Sequence, residues 1–224
     1  MTRDAIIQAA AVEVAEMGYH LASLARIVER SGVTKGALYF HYASKQDIAL
    51  ALLERMAADY RALAARSDGS GPDPLREAAY LARDIQELLD HRPVVMAGQR
   101  LTAEGVGGRE WSAFPTDFWE GVFAGLFARA QTLGLVRESV DPAATGRFVL
   151  DISAGAFRNA LVADDRWELA RRVCHNWELM FDAIATDGWR DGWRASGGMA
   201  AVLADHLPDA ARRAPRDDGA ADLV

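Results

Sequence analysis

Lysine is almost missing from this 224-residue chain. Of 25 basic side chains only Lys35 and Lys45 are lysine. Cysteine is scarcer still, with Cys174 alone, which excludes an internal disulfide and leaves no thiol cluster for zinc or iron–sulfur chemistry. No apolar run reaches the eighteen or so residues that a membrane span requires. The N-terminal stretch carries Asp4 and Glu13 where an export signal would be basic and then greasy. These absences lead us to expect a soluble cytoplasmic protein with no membrane association and no cofactor.

Enzyme signatures are also lacking. His20, His41, His91, His175 and His206 are scattered, no Gly-x-Ser-x-Gly elbow occurs, and the glycines of "EGVGGRE" follow no strand that would make them a phosphate loop. Cys174 and His175 are neighbours, and on a helix neighbours point about 100° apart, which is poor geometry for a nucleophile and its base. His175 and Glu178, one turn apart, read as a surface salt link. We therefore expect no enzyme activity. The net charge of −7 argues weakly against nucleic acid, but it is uneven: residues 1–66 hold eight basic and seven acidic side chains, the remainder 17 and 25.

What the chain has in abundance is helical periodicity, and the pattern predicts an all-α protein of nine to ten helices. Ile7, Ala10, Val14 and Met17 recur at three- and four-residue spacing before Gly18, predicting a first helix over about 3–17. Ser23 caps a second, with Leu24, Ile27 and Val28 inward, ending at Ser31-Gly32. Thr34 caps a third that runs to about Tyr39. Two short helices around a glycine turn make a helix-turn-helix. Ser44, with Asp47 three residues on, opens a fourth helix over about 44–66 whose apolar face is Ile48, Leu52, Met56 and Leu63.

The clearest break is Ser67 to Pro74. Asp73-Pro74 starts a fifth helix to about His91, and Pro93 a sixth to Glu104. Gly105 to Pro115 reads as a loop. Trp119, Phe123, Leu126, Ala130 and Leu133 mark a seventh helix from Thr116, Asp141-Pro142 an eighth. The ninth is apolar on two faces, Trp167, Ala170, Cys174, Trp177, Phe181 and Ile184 on one and Leu169, Val173 and Met180 on the other, as a helix buried on two sides requires. Order is expected to decay beyond Asp187. The repeated "GWRDGWR" has no evident role, and the Ala-, Arg-, Asp- and Pro-rich end from Pro208 reads as disordered.

On chemical grounds alone the third helix is the place to look for function. A recognition helix needs slim residues at its start so that its backbone approaches base edges, and Thr34, Lys35, Gly36 and Ala37 meet that need. Lys35 is the candidate base or phosphate contact, Tyr39 offers a hydroxyl to a phosphate, Phe40 is expected to plug the core, and His41 or Tyr42 to reach the sugar-phosphate edge. Lys45 would hold the flanking phosphate. Aromatic residues in a helical hairpin are more commonly core, but three rings and a histidine from Tyr39 to Tyr42 cannot all face inward.

The stretch "LARIVERSGVTKGALYFHYASKQDIALALL" resembles the N-terminal DNA-binding domain of TetR-family repressors, over about residues 3–55. The resemblance implies an all-helical homodimer that binds double-stranded operator DNA, with residues 1–50 as the reading head and 51–187 as a ligand-binding and dimerisation domain. Residues 188–224 are left as a partly disordered extension. Dimerisation is expected through helices eight and nine. Ala22 stands where the family often has threonine, so Ser23 is the phosphate contact available at that end.

A second stretch, "RPVVMAGQRLTAE" followed by "FWEGVFAGLFARAQTLGLVRESVDP", resembles the γ-butyrolactone receptor branch, repressors released from DNA by lactone or furan signals. That implies Trp119 as a ligand contact. Tyr80, Gln99, Thr102 and Ser153 are the polar groups that could read a lactone, and Phe118, Phe123, Phe157 and Trp177 the walls. Two alternatives stay open: a TetR-like repressor answering to an antibiotic or its intermediate, and a helical enzyme or interaction module.

Overall fold

A computed structural model describes residues 2–67, 70–163 and 166–204, without the side chains of 160–163 and 166–170. Eleven helices are found there: α1 Thr2–Leu21, α2 Leu24–Ser31, α3 Lys35–His41, α4 Lys45–Ala64, α5 Pro74–His91, α6 Pro93–Ala103, α7 Arg109–Thr132, α8 Pro142–Ala163, α9 Arg166–Ile184, α10 Asp187–Ala195 and α11 Gly198–Val202. No strand occurs among the described residues, only an isolated bridge between Val136 and Ala185. The chain divides into two compact units, Met1–Leu126 and Phe127–Val224, with the boundary inside α7.

In the first unit the expected caps are formed. Ser23 Oγ accepts from the Arg26 amide, Thr34 Oγ1 from Ala37, and Ser44 and Asp47 close a reciprocal capping box. Asp73 caps α5 with Pro74 in its first turn. The α1 pattern stops at Gly18 as expected, because that residue leaves helical geometry at φ 77°, ψ 169°. One further turn then carries the chain to Leu21.

The core of this unit is where α6 packs between α1 and α4. Gly98 makes the close approach possible: a β-carbon there would lie 2.5 Å from Met56 Sδ. Ile6, Ala10, Leu52, Leu53, Met56, Tyr60, Val95, Ala97 and Leu101 are sealed from solvent.

Two expectations about extent are corrected. The seventh helix begins at Arg109, seven residues before Thr116, and carries Pro115 inside it. A proline in the second turn removes one backbone bond from a 24-residue helix, and its ring is buried. Order also continues past Asp187, where α10 buries Trp189 and Trp193 and α11 buries Met199. The expected tail from Pro208, with His206, and the side chains of Trp167, Leu169 and Ala170 lie outside the described residues. In the second unit α8 packs along α9, and Val173, Trp177, Met180, Phe181 and Ile184 of α9 are buried.

Candidate nucleic-acid interface and effector site

At α3 the chain presents Thr34, Lys35 and Gly36 to solvent, with Ala37 half-buried behind them. Thr34 Oγ1 is 3.1 Å from the Ala37 amide, so the hydroxyl that starts the helix also faces outward beside Lys35. The Lys35 ammonium stands 5.9 Å from the centre of the Tyr39 ring, and Tyr39 is 45% exposed. His41 is half-buried and meets the Phe40 ring edge-on.

Phe40 does not plug the core as expected; it is 84% exposed. Leu38 and Tyr42 do so instead, because residues four apart share a face and Phe40 lies between them on the opposite one. Tyr42 is therefore unavailable to a phosphate: it is buried and accepts from Arg3 Nε through its hydroxyl at 3.1 Å. Ser23 Oγ accepts from the Arg26 amide at 3.2 Å at the start of α2.

Beneath α2 lies a residue that was not anticipated. Glu13 is fully buried on α1, and its carboxylate meets Arg26 Nε at 3.1 Å and Arg30 Nη2 at 3.7 Å. Glu13 follows Ile6 and Ala10 at four- and three-residue spacing, so its inward position was visible in the pattern. It ties α2 to α1 while leaving both guanidinium groups partly in water.

The break at Gly18 joins this head to α6. The Tyr19 amide, freed by the break, donates to Glu104 Oε2 at 3.0 Å, and a β-carbon on residue 18 would lie 2.5 Å from Glu104 Oε1. Arg100 Nη1 donates to the Glu16 carbonyl at 3.1 Å. On the other side of the same turn, Lys45 Nζ donates to the His20 carbonyl at 3.3 Å and sits 4.5 Å over the Tyr19 ring. Lys45 is thus held against α1, with two of its three ammonium protons left for a phosphate.

Further along α7 a row of rings runs inward. Trp111, Phe114 and Phe118 are half-buried, and Phe118 meets Trp119 edge-on at 4.9 Å. Trp119 is buried and packs against Phe123 and, at 5.2 Å, against Tyr60 of α4. Both rings are buried, yet neither Trp119 Nε1 nor the Tyr60 hydroxyl has a hydrogen-bond partner among the described residues. A buried polar group left unpaired costs about 1–3 kcal/mol. The Gln99 amide approaches the Tyr60 hydroxyl without reaching hydrogen-bond geometry, and burial pushes the phenol pKa well above its ordinary value.

Phe118, Phe123 and Tyr60 therefore come together around Trp119, with Gln99 beside the Tyr60 hydroxyl; Tyr60 is a residue the sequence reading passed over. Thr102 is buried, with its hydroxyl donating to the Gln99 carbonyl at 2.8 Å. Tyr80 does not join them: it is 44% exposed on α5, beneath the Arg83 guanidinium. Ser153, Phe157 and Trp177 belong to the second unit. There the Ser153 hydroxyl donates to the Val149 carbonyl at 2.6 Å, Phe157 is half-buried, and Trp177 is buried against Phe181.

The second unit also corrects the reading of Glu178. It makes no surface link with His175; its carboxylate accepts from Trp193 Nε1 at 3.0 Å and from the Met199 amide. Burial and the Glu178 charge push the Cys174 thiol up to about 11, so it is protonated at neutral pH. Among the described residues no group of three or more His, Cys, Asp or Glu side chains is placed to hold a metal, and no helix is long and apolar enough to cross a membrane.

The sequence pattern of bacterial regulatory proteins of the tetR family matches residues 6–52, the segment that forms α1 to α3 and the start of α4. Together with the helical architecture, this places the chain in the TetR family. Its similarity to particular members runs well beyond the reading head. It is 30% identical over 189 residues to the A-factor receptor protein of Streptomyces griseus, an alignment covering 84% of this chain and 65% of that one. This chain thus spans just under two thirds of that relative's length.

Solved structures agree. CprB of S. coelicolor A3(2) has a TM-score of 0.76 at 30% identity, covering 92% of this chain and 98% of that one. A γ-butyrolactone receptor described as ArpA-like gives 0.77 at 29%, with the same coverage. CprB in complex with its biological operator sequence gives 0.73 at 29%, covering 92% and 95%.

Proposed function

We propose that the chain is a ligand-responsive transcriptional repressor that binds a near-palindromic operator as a homodimer and is released by a small hydrophobic signal of the γ-butyrolactone, butenolide or furan type. It acts in the cytoplasm and has no catalytic role. The observation that carries the effector half is the buried, unpartnered Trp119 Nε1 in an otherwise apolar aromatic set. Sites for small ligands are mostly apolar with a few placed polar atoms, and an indole N–H is such an atom.

The DNA half rests on the solvent-facing Thr34, Lys35, Gly36 and Tyr39, flanked by Ser23, Ala37, His41 and Lys45. Dimerisation through α8 and α9 is supported by Phe148 on α8 and Leu179 on α9, which are 53% and 56% exposed. In such a dimer the two α3 helices would read half-sites about 34–36 Å apart.

Release requires a ligand that binds the non-DNA form better, with a coupling of about 1–3 kcal/mol or more. The path we infer runs from Gln99 and Thr102 on α6 to Arg100 and Glu104, across to Glu16 and Tyr19 at the α1 break, and on through Lys45 to the head. Fluorescence anisotropy on DNA from upstream of the gene, with and without solvent extract of the producing culture, tests the whole. Binding that resists competitor DNA and collapses with extract supports it. Binding that extract never moves removes the effector, and a folded protein with no affinity for that DNA removes the operator assignment there.

A further inference from the structure

Two buried donors in edge contact are unusual in a packed core, because each could be replaced by an apolar group of the same shape at no loss to folding. The proposed function uses Trp119 alone. Tyr60 is the more informative of the two: its side chain is wholly buried, its phenol stays protonated, and its ring touches the Trp119 ring at 5.2 Å. Phenylalanine would satisfy that ring contact equally well. Among the described residues only the Gln99 side chain comes near the hydroxyl, and none meets it in full hydrogen-bond geometry.

The chemistry of the pair limits what can complete it. An indole N–H only donates, so its partner must be an acceptor. A carbonyl oxygen has two lone pairs and accepts from two donors at once, whereas an ether oxygen is the poorer acceptor. An uncharged acceptor matches this lining best, because the polar groups at the pair are the neutral indole, phenol and Gln99 amide, and the Arg61 guanidinium is exposed, 5.2 Å from the centre of the Phe114 ring.

Resting on the reading of this aromatic set as the effector site, we propose that Tyr60 is a specificity-determining residue. Its hydroxyl and the Trp119 indole N–H together hold one carbonyl oxygen of an uncharged ligand. Gln99, beside the hydroxyl, orients it. Met56, one turn earlier on the same face of α4, and Phe118 and Phe123 on α7 supply the apolar surface for the ligand's chain.

The test uses two probes on the full chain by titration calorimetry: 5-heptyl-γ-butyrolactone, and 2-heptyltetrahydrofuran, which keeps the ring oxygen and chain but lacks the carbonyl. Wild type is expected to bind the lactone about tenfold or more tighter than the ether, the worth of one good hydrogen bond. Tyr60→Phe is expected to lower that ratio about threefold or more, the Trp119 N–H keeping the remainder, while leaving ether binding unchanged. The melting temperature of ligand-free Tyr60→Phe should equal or exceed that of wild type, since an unpaired hydroxyl has been removed.

If the lactone binds wild type and Tyr60→Phe leaves the ratio unchanged, the role of Tyr60 is overturned while the effector site stands. If Tyr60→Phe melts below wild type, the hydroxyl serves the fold and the proposal is overturned on that ground. Should neither probe bind wild type, the effector-site reading itself fails and takes this inference with it.

Discussion

Two aromatic clusters, one in each unit, are both largely buried and opposite in bonding. In the second unit Trp177, Phe181, Trp189 and Trp193 pack at 5.0–5.4 Å between ring centres, with Trp189 and Trp193 nearly parallel at 16°. There the Trp193 N–H is answered by Glu178. In the first unit Tyr60, Phe118, Trp119 and Phe123 pack at 4.9–6.2 Å, but the polar tips of Tyr60 and Trp119 find no hydrogen-bond partner among the described residues. Burial alone would mark both clusters as core. The polar atoms separate a clasp that finishes the fold from the set proposed as the effector site.

The sharpest way to break that contrast is to remove a ring from the clasp. Trp193→Ala should cost about 3–5 kcal/mol, as large-to-small changes in a packed interior do, and urea denaturation will show it as a lower midpoint. A midpoint like that of wild type would mean that α10 is dispensable and the clasp idle. Trp119→Phe should move the midpoint far less, by about 1 kcal/mol, because the lost volume is partly offset by the loss of an unpaired N–H.

A second contrast lies between the head and the proposed effector site. Lys35→Ala should weaken operator binding about tenfold and lower the salt slope by about one, with lactone binding intact. Trp119→Ala should do the reverse. Equal damage to both activities by both changes would erase the division of labour.

Gly18→Ala probes the link between them, since it forces a side chain onto a left-handed residue and toward Glu104, at a cost of about 1–2 kcal/mol. Anisotropy should then show DNA still bound and the effect of ligand diminished. The smallest effect concerns Cys174, whose pKa is raised in the fold from 9.0 to about 11. Its contribution to stability is complete below pH 9 and is lost between about pH 9 and 11, where the unfolded thiol ionises and the folded one does not. Melting curves across that range, compared with Cys174→Ala, measure it.

Much of this was legible in the residues. Caps are local chemistry, so Ser23, Thr34, Ser44 with Asp47, and Asp73-Pro74 announced their helices without tertiary information. Exposure at α3 was half legible: the aromatic run could not all face inward, but the rings that do are fixed by the four-residue spacing of Leu38 and Tyr42.

Tyr60 was missed although it continues the series Ile48, Leu52, Met56 at the same spacing. A tyrosine on an apolar face is easily passed over as surface. The clasp was missed for a similar reason, since Trp189 and Trp193 lie four apart while Gly188 and Gly192 weaken the local preference for helix. What no sequence pattern could supply is the unpartnered state of one hydroxyl and one indole N–H, because that depends on every side chain brought near them by the fold.

The scarcity of lysine has a practical consequence. Amine-reactive reagents find in this chain only Lys35, Lys45 and the α-amino group, and Lys45 is occupied with a carbonyl and a ring while Lys35 stands in solvent. Mild acylation should therefore strike the tip of α3 first. A fluorophore attached there by ordinary succinimidyl chemistry would report the spacing of paired heads by energy transfer, without a single engineered cysteine.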